Sequence, residues 1–128
     1  MNSKKLYAMV KKYGKKLPPP PLPGTDKIQP IDSVRELLLE GQIMHHCVGS
    51  YIENVLSGDW YIYRIMEPER ATLGILLDDM AGIWAVAQLK SYSNSTPSAD
   101  VVELVYEWLV ERQPLLAAKI ADKQKRAI

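Results

Sequence analysis

Eight consecutive residues, Met44-His45-His46-Cys47-Val48-Gly49-Ser50-Tyr51, hold both histidines and the single cysteine of the chain. A thiol beside an imidazole is the pairing used in nucleophilic catalysis, where the imidazole takes the proton the thiol must lose. Cys47 as nucleophile and His46 (or His45) as base are therefore the candidate catalytic residues. The periodicity that follows places Cys47 at a helix start, where free backbone N–H groups and the helix dipole favour a thiolate. Gly49 in that first turn lets a ligand approach the backbone. With the Ser50 hydroxyl and free N–H groups, the turn could hold an anion such as phosphate. Plainer readings compete with these. A cysteine in a helix is often a small buried hydrophobe, and residues adjacent in sequence rarely face each other.

Other chemistries find less support. Three contiguous ligands with no second Cys/His cluster do not complete a four-ligand zinc site, so no metal is expected. No G-x-x-x-x-G-K-[ST] loop, G-x-G-x-x-G or H-E-x-x-H is present, which sets aside P-loop nucleotide hydrolysis and zinc peptidase chemistry. No cofactor is implied.

The elements around this stretch must position it. Leu6, Met9, Val10 and Tyr13 recur at helical spacing, predicting a short helix over residues 3–16 ended by Gly14. Leu17-Pro18-Pro19-Pro20-Pro21-Leu22-Pro23-Gly24 has fixed φ and few N–H donors, which predicts a stiff polyproline II spacer. Its P-x-x-P spacing would also suit an SH3-type partner. Residues 1–25 are thus expected as a basic helix plus spacer, and 26–128 as a single compact domain with a basic end. Ser33-Val34-Arg35-Glu36 reads as a capping box opening a helix, with Gly41 as its stop. A second helix is expected from Cys47 to Ser57, stopped by Gly58.

From Trp60 the period changes to that of strands. Residues 60–65, 71–77 and 83–90, joined by short turns, predict an antiparallel meander of three strands. Alternation places Ala71, Leu73, Ile75, Leu77, Ile83, Ala85, Ala87 and Leu89 on the core face. It places Thr72, Gly74, Leu76, Trp84, Val86, Gln88 and Lys90 on the other. Thr96-Pro97 opens a last helix with Val101, Leu104, Val105, Trp108 and Leu109 on its apolar stripe. Pro114 should break it near Arg112-Gln113, with a further short helix from Leu115 to Ile120. The expected fold is α+β: helices, the meander, then a C-terminal helix packed on one sheet face.

With 128 residues the chain is one domain, burying roughly two-thirds of its unfolded surface. No apolar run approaches the roughly 20 residues that span a bilayer, and no secretory signal is recognisable. A lone cysteine fits a reducing compartment, so the expected location is cytoplasmic, with no membrane partner. The net charge of +1 conceals an uneven distribution. Lys4, Lys5, Lys11, Lys12, Lys15 and Lys16 face no acid in residues 1–16, and residues 119–128 are basic, while the body between is acidic. Basic ends on an acidic body suit contact with DNA or RNA, or merely keep chain ends soluble.

Glu40-Gly41, His46-Cys47-Val48-Gly49-Ser50-Tyr51, Gly58, Tyr61-Ile62-Tyr63-Arg64-Ile65, Ala71-Thr72-Leu73, Gln88-Leu89-Lys90 and Asn94 together make the chain resemble the PcfJ-like family. The resemblance covers roughly residues 36–110 and leaves the lysine helix and proline run outside. It implies a protein of a bacterial conjugative plasmid, phage or other mobile element, with no settled activity. It also implies shared polar positions at His46, Cys47, Ser50, Tyr51, Gln88, Lys90 and Asn94. Two positions depart from the family pattern. Ser91 stands where the family pattern tends to have glycine, and Gly74 where many relatives carry a glutamate; were that carboxylate the family's catalytic base, this chain would bind without turning over.

Two functions follow as expectations. The first is an accessory binding module of a mobile element, engaging nucleic acid through its lysines or engaging a nucleic-acid-processing or host protein. The second is a Cys47/His46 transferase or hydrolase in which Gly49, Ser50, Tyr51, Gln88, Lys90 and Asn94 bind a polar or phosphate-bearing substrate.

Overall fold

The computed structural model describes residues 3–114 and 122. Its elements run α1 (Ser3–Tyr13), β1 (Ile28–Pro30), α2 (Val34–Met44), a 3₁₀ turn (Val48–Tyr51), α3 (Ile52–Leu56), β2 (Trp60–Ile65), β3 (Ala71–Asp78) and β4 (Ile83–Lys90). A second 3₁₀ turn (Tyr92–Asn94) and α4 (Ala99–Arg112) follow. The class is α+β, as expected, but the antiparallel sheet has four strands in the order β1-β2-β3-β4 rather than three. The extra strand pairs Ile28 with Ile65 and Pro30 with Tyr63. Three residues ending in proline give no readable alternation, and proline suits an edge position because it has no N–H for a further neighbour.

The local signals set most of the helices. Ser33 caps α2 by accepting from the Glu36 N–H at 3.1 Å. The apolar stripe of α1 (Leu6, Met9, Val10, Tyr13) packs against the core, and Gly14 ends the helix with φ +87°. Helix α4 buries Val101, Val105, Trp108 and Leu109 and stops at Arg112, where a break was expected. Its cap is Ser98 rather than Thr96, the Ser98 hydroxyl accepting from the Val101 N–H. The short helix expected over Leu115–Ile120 and the basic C-terminal end lie outside the described residues.

The sheet separates two layers. Tyr61, Tyr63, Leu73 and Ile75 are register partners on one face, and Tyr63 meets Trp108 of α4 edge-on at 4.9 Å. Ile62, Thr72, Gly74, Gln88 and Lys90 share the other face, which α2 and the first 3₁₀ turn cover. The expected faces hold for β3 and for the end of β4. They fail at the start of β4, because Gly74 pairs with Gln88 but Ile75 pairs with Val86. Ala87 is the extra residue of a β-bulge, and a bulge inverts alternation beyond it. Trp84 and Val86 consequently pack toward the core, while Ala85 and Ala87 are exposed.

The proline run lies against the body instead of holding α1 away from it. Leu17 and Leu22 belong to the core. Tyr61 Oη donates to the Pro18 carbonyl at 2.8 Å and Trp108 Nε1 to the Pro23 carbonyl at 3.0 Å. Tyr63 Oη donates to the Leu22 carbonyl at 2.7 Å and accepts from its N–H at 3.2 Å. A proline-rich segment is short of its own hydrogen bonds, so buried phenols and an indole supply them. Upstream, the Val34 N–H donates to the Lys15 carbonyl and the Leu17 N–H to that of Asp32, and Tyr13 Oη donates to Glu53 of α3. These bonds seat α1 on the α2–α3 layer.

Candidate functional site

The site begins at the end of α2. Gly41 is not the stop the sequence suggested: the helix runs through it to Met44, and His45 ends it in the left-handed conformation with φ 53°. Gly41 is needed for close approach, since a Cβ there would sit 3.1 Å from the His46 carbonyl oxygen. Gly49 answers from the 3₁₀ turn, where a Cβ would lie 3.1 Å from Leu38 of α2. Both glycines therefore serve packing of the turn on the helix. The helix expected from Cys47 to Ser57 divides into that 3₁₀ turn and the five-residue α3.

This turn projects His46 over β3. Its Nε2 lies 2.9 Å from Thr72 Oγ1, and its Nδ1 accepts from the Val48 N–H at 3.3 Å. An accepting Nδ1 leaves the proton on Nε2, so Nε2–H donates to Thr72. Thr72 in turn donates to Glu40 Oε2 at 2.5 Å. Glu40 is 2 % exposed and is held by Arg70, whose Nη1 donates to Oε2 at 3.1 Å and whose Nη2 donates to Oε1. The result is a continuous Arg70–Glu40–Thr72–His46 chain of hydrogen bonds, charge-assisted where the Glu40 carboxylate accepts. Burial pushes the His46 pKa down, Glu40 pulls it back up, and Arg70 lowers it again. The lowered pKa and the accepting Nδ1 both favour the neutral imidazole.

Glu40 and Arg70 escaped the sequence reading as functional residues. A signal existed: Leu37, Glu40, Gly41 and Met44 form one helical stripe, and a carboxylate on a buried stripe requires a cationic partner. At Gly74 a Cβ would lie 3.2 Å from the Trp60 ring, so the missing side chain leaves room for the indole. The buried carboxylate on this sheet face comes from α2.

The candidate residues divide. Cys47 is exposed, and neither imidazole hydrogen-bonds its sulfur. His45 is exposed and lies against Tyr92 with rings 4.7 Å apart. The free N–H groups that an anion would need are partly spent. Val48 N–H serves His46, Ser50 N–H donates to the Cys47 carbonyl at 2.9 Å, and Ser50 Oγ donates to the same carbonyl at 2.7 Å. Tyr51 stacks on Trp60, centroids 4.6 Å apart and 10° between planes. Gln88 and Lys90 join His46, Thr72 and Gly74 around a cleft of about 10 Å³, room for one water. Asn94 is exposed in the second 3₁₀ turn, with φ +61°, and lines no cleft with them. A larger cleft, about 570 Å³, opens between α1, the end of α2 and the first 3₁₀ turn. Lys5, Met9, Leu38, Gln42, Cys47 and Ser50 are among its walls. Lys4, Lys5, Lys11, Lys12, Lys15 and Lys16 are all exposed.

A family model described as PcfJ-like protein matches residues 21–105. The chain belongs to the PcfJ-like family. The match starts inside the proline run, earlier than the resemblance suggested, and so takes in the segment tied to Tyr63 and Trp108; α1 remains outside it. Within the family region lie the Arg70–Glu40–Thr72–His46 chain and the Gln88/Lys90 cleft. No curated protein and no solved structure matches the chain. Among the described residues, no group of three or more His, Cys, Asp or Glu side chains is placed to hold a metal ion. No described helix is long and apolar enough to cross a membrane.

Proposed function

We propose that the chain is an accessory binding module of a bacterial mobile element, phage or conjugative plasmid, that engages nucleic acid through α1 and the segment after it. One observation supports this reading above others. The apolar stripe of α1 packs on the body, which leaves its lysines exposed on a helix seated by backbone bonds at Lys15 and Leu17. A mounted basic face loses less freedom on binding phosphates than a frayed tail does. The mobile-element setting rests on family membership and the company the family keeps.

The enzymatic alternative draws on the Glu40–Thr72–His46 chain, which resembles the way a carboxylate orients a catalytic imidazole. It ranks second for a geometric reason. Both ring nitrogens of His46 are engaged, one by Thr72 and one by the Val48 N–H, so no lone pair is free to take a proton from Cys47.

The test is fluorescence polarisation with labelled DNA and RNA at two salt concentrations. The expected result is binding that weakens steeply with salt, and a Lys11→Glu/Lys12→Glu variant whose log–log salt slope is shallower by about two. No binding at low salt to either nucleic acid would overturn the proposal and point to a protein partner.

A further inference from the structure

We infer that the cleft between α1 and the His46–Ser50 turn takes one unpaired nucleotide of a single strand whose neighbouring phosphates lie along the α1 lysines. The inference rests on the nucleic-acid reading above and adds a form of nucleic acid and a binding site. Its first support is placement. Lys5 belongs both to the exposed basic face of α1 and to the wall of the cleft, so a strand tracked by these lysines passes the opening. Its second support is size and lining. About 570 Å³ falls in the roughly 300–1,000 Å³ range of small-molecule sites, sufficient for a base and its sugar.

The walls suit a base more than a free anion. Met9 and Leu38 offer apolar surface to the flat faces of a heterocycle. The Gln42 amide, exposed at the end of α2, presents a donor and an acceptor to a base edge, and the Ser50 oxygen retains lone pairs beyond its bond to the Cys47 carbonyl. Single-strand readers combine a cationic track with side-chain faces on which splayed bases stack; in this cleft Met9 and Leu38 supply those faces. A duplex keeps its bases stacked and would meet only the lysines.

Cys47 lines the same cleft and is the chain's single cysteine, so its alkylation by iodoacetamide reports occupancy directly. The full chain is incubated with a non-self-complementary oligodeoxynucleotide, the duplex of that sequence, or the matching oligoribonucleotide. Each is added at a concentration that saturates its polarisation signal. Single strands are expected to slow Cys47 alkylation about fivefold or more, and duplex to leave it nearly unchanged. The sugar that protects at lower concentration identifies the preferred strand. A Ser50→Trp variant, which fills the cleft from an exposed position, is expected to lose about tenfold in single-strand affinity and none for duplex. If single strand and duplex both bind while Cys47 stays equally reactive, or if Ser50→Trp binds single strand unchanged, the cleft is not the site and α1 alone would account for binding. If nothing binds at low salt, the nucleic-acid reading itself fails and this inference with it.

Discussion

His46 ties the segment after α2 to β3 through Thr72, and its partners set its pH behaviour. Nδ1 accepts from the Val48 N–H, a bond that a doubly protonated imidazolium cannot make. The folded-state pKa is lowered from the ordinary 6.5, first by burial and further by Arg70, with Glu40 opposing. The unfolded chain therefore binds the proton first as pH falls. The stabilisation is fully present above pH 6.5 and is lost as pH drops through the lower folded-state value. Melting temperature is thus expected to decline on acidification below about pH 6.5, and His46→Gln should flatten that decline. His45 is present in both proteins, so the comparison isolates His46. Parallel profiles for the two proteins would mean that His46 protonation is not linked to folding.

The bulge in β4 decides which side chains reach which layer. With Ala87 extruded, Val86 opposes Ile75 on the α4 side, and Ala85 opposes Leu76 toward solvent. Gln113 then completes the β4 edge: its Oε1 accepts from the Trp84 N–H at 2.6 Å, and its Nε2 donates to the Trp84 carbonyl at 2.8 Å. A side-chain amide there occupies the N–H and carbonyl of Trp84, two of the backbone groups that this edge strand would otherwise offer to another chain. Val86→Asp should cost on the order of 2 kcal/mol, whereas Ala85→Asp should stay within about 0.5 kcal/mol. Urea midpoints of the two variants check this. The reverse order would restore the unbroken alternation and remove the bulge.

Across the whole molecule, the proline segment joins the sheet to α4. Tyr63 is fully buried, its phenol pushed well above the ordinary range by that burial, and its hydroxyl satisfies both backbone groups of Leu22. The Tyr61 phenol, bonded to Pro18, is pushed up to about 12. Tyr63→Phe keeps the ring packed on Trp108 but leaves a buried N–H and carbonyl unpaired, at a cost of about 1–3 kcal/mol. Denaturant unfolding should register that loss. Amide exchange at Leu22 should quicken more than at Ile75 if the segment, and not the sheet, is what loosens. Equal acceleration at both would mean that the strap has no separate stability.

Local order was legible because it is written in nearest neighbours. The α1 stripe, the Ser33 cap, the turns at Gly14 and Gly58, the three long strands and the end of α4 each follow from spacing or from one residue's backbone preference. The concentration of His46, Cys47 and Ser50, and the pairing of Gln88 with Lys90 on one strand face, were readable for the same reason. The rest depends on partners distant in sequence. Gly41 read as a stop until the turn at Gly49 was seen packed against it, and the proline run read as a spacer until Tyr61, Tyr63 and Trp108 supplied its hydrogen bonds. β1 needs β2 to be a strand at all. Glu40 becomes intelligible only with Arg70 and Thr72 around it, because a buried carboxylate is stable through contacts that no window of neighbouring residues contains. The bulge at Ala87 is the clearest instance: alternation along β4 is a local property, but the register that interrupts it belongs to the pairing with β3.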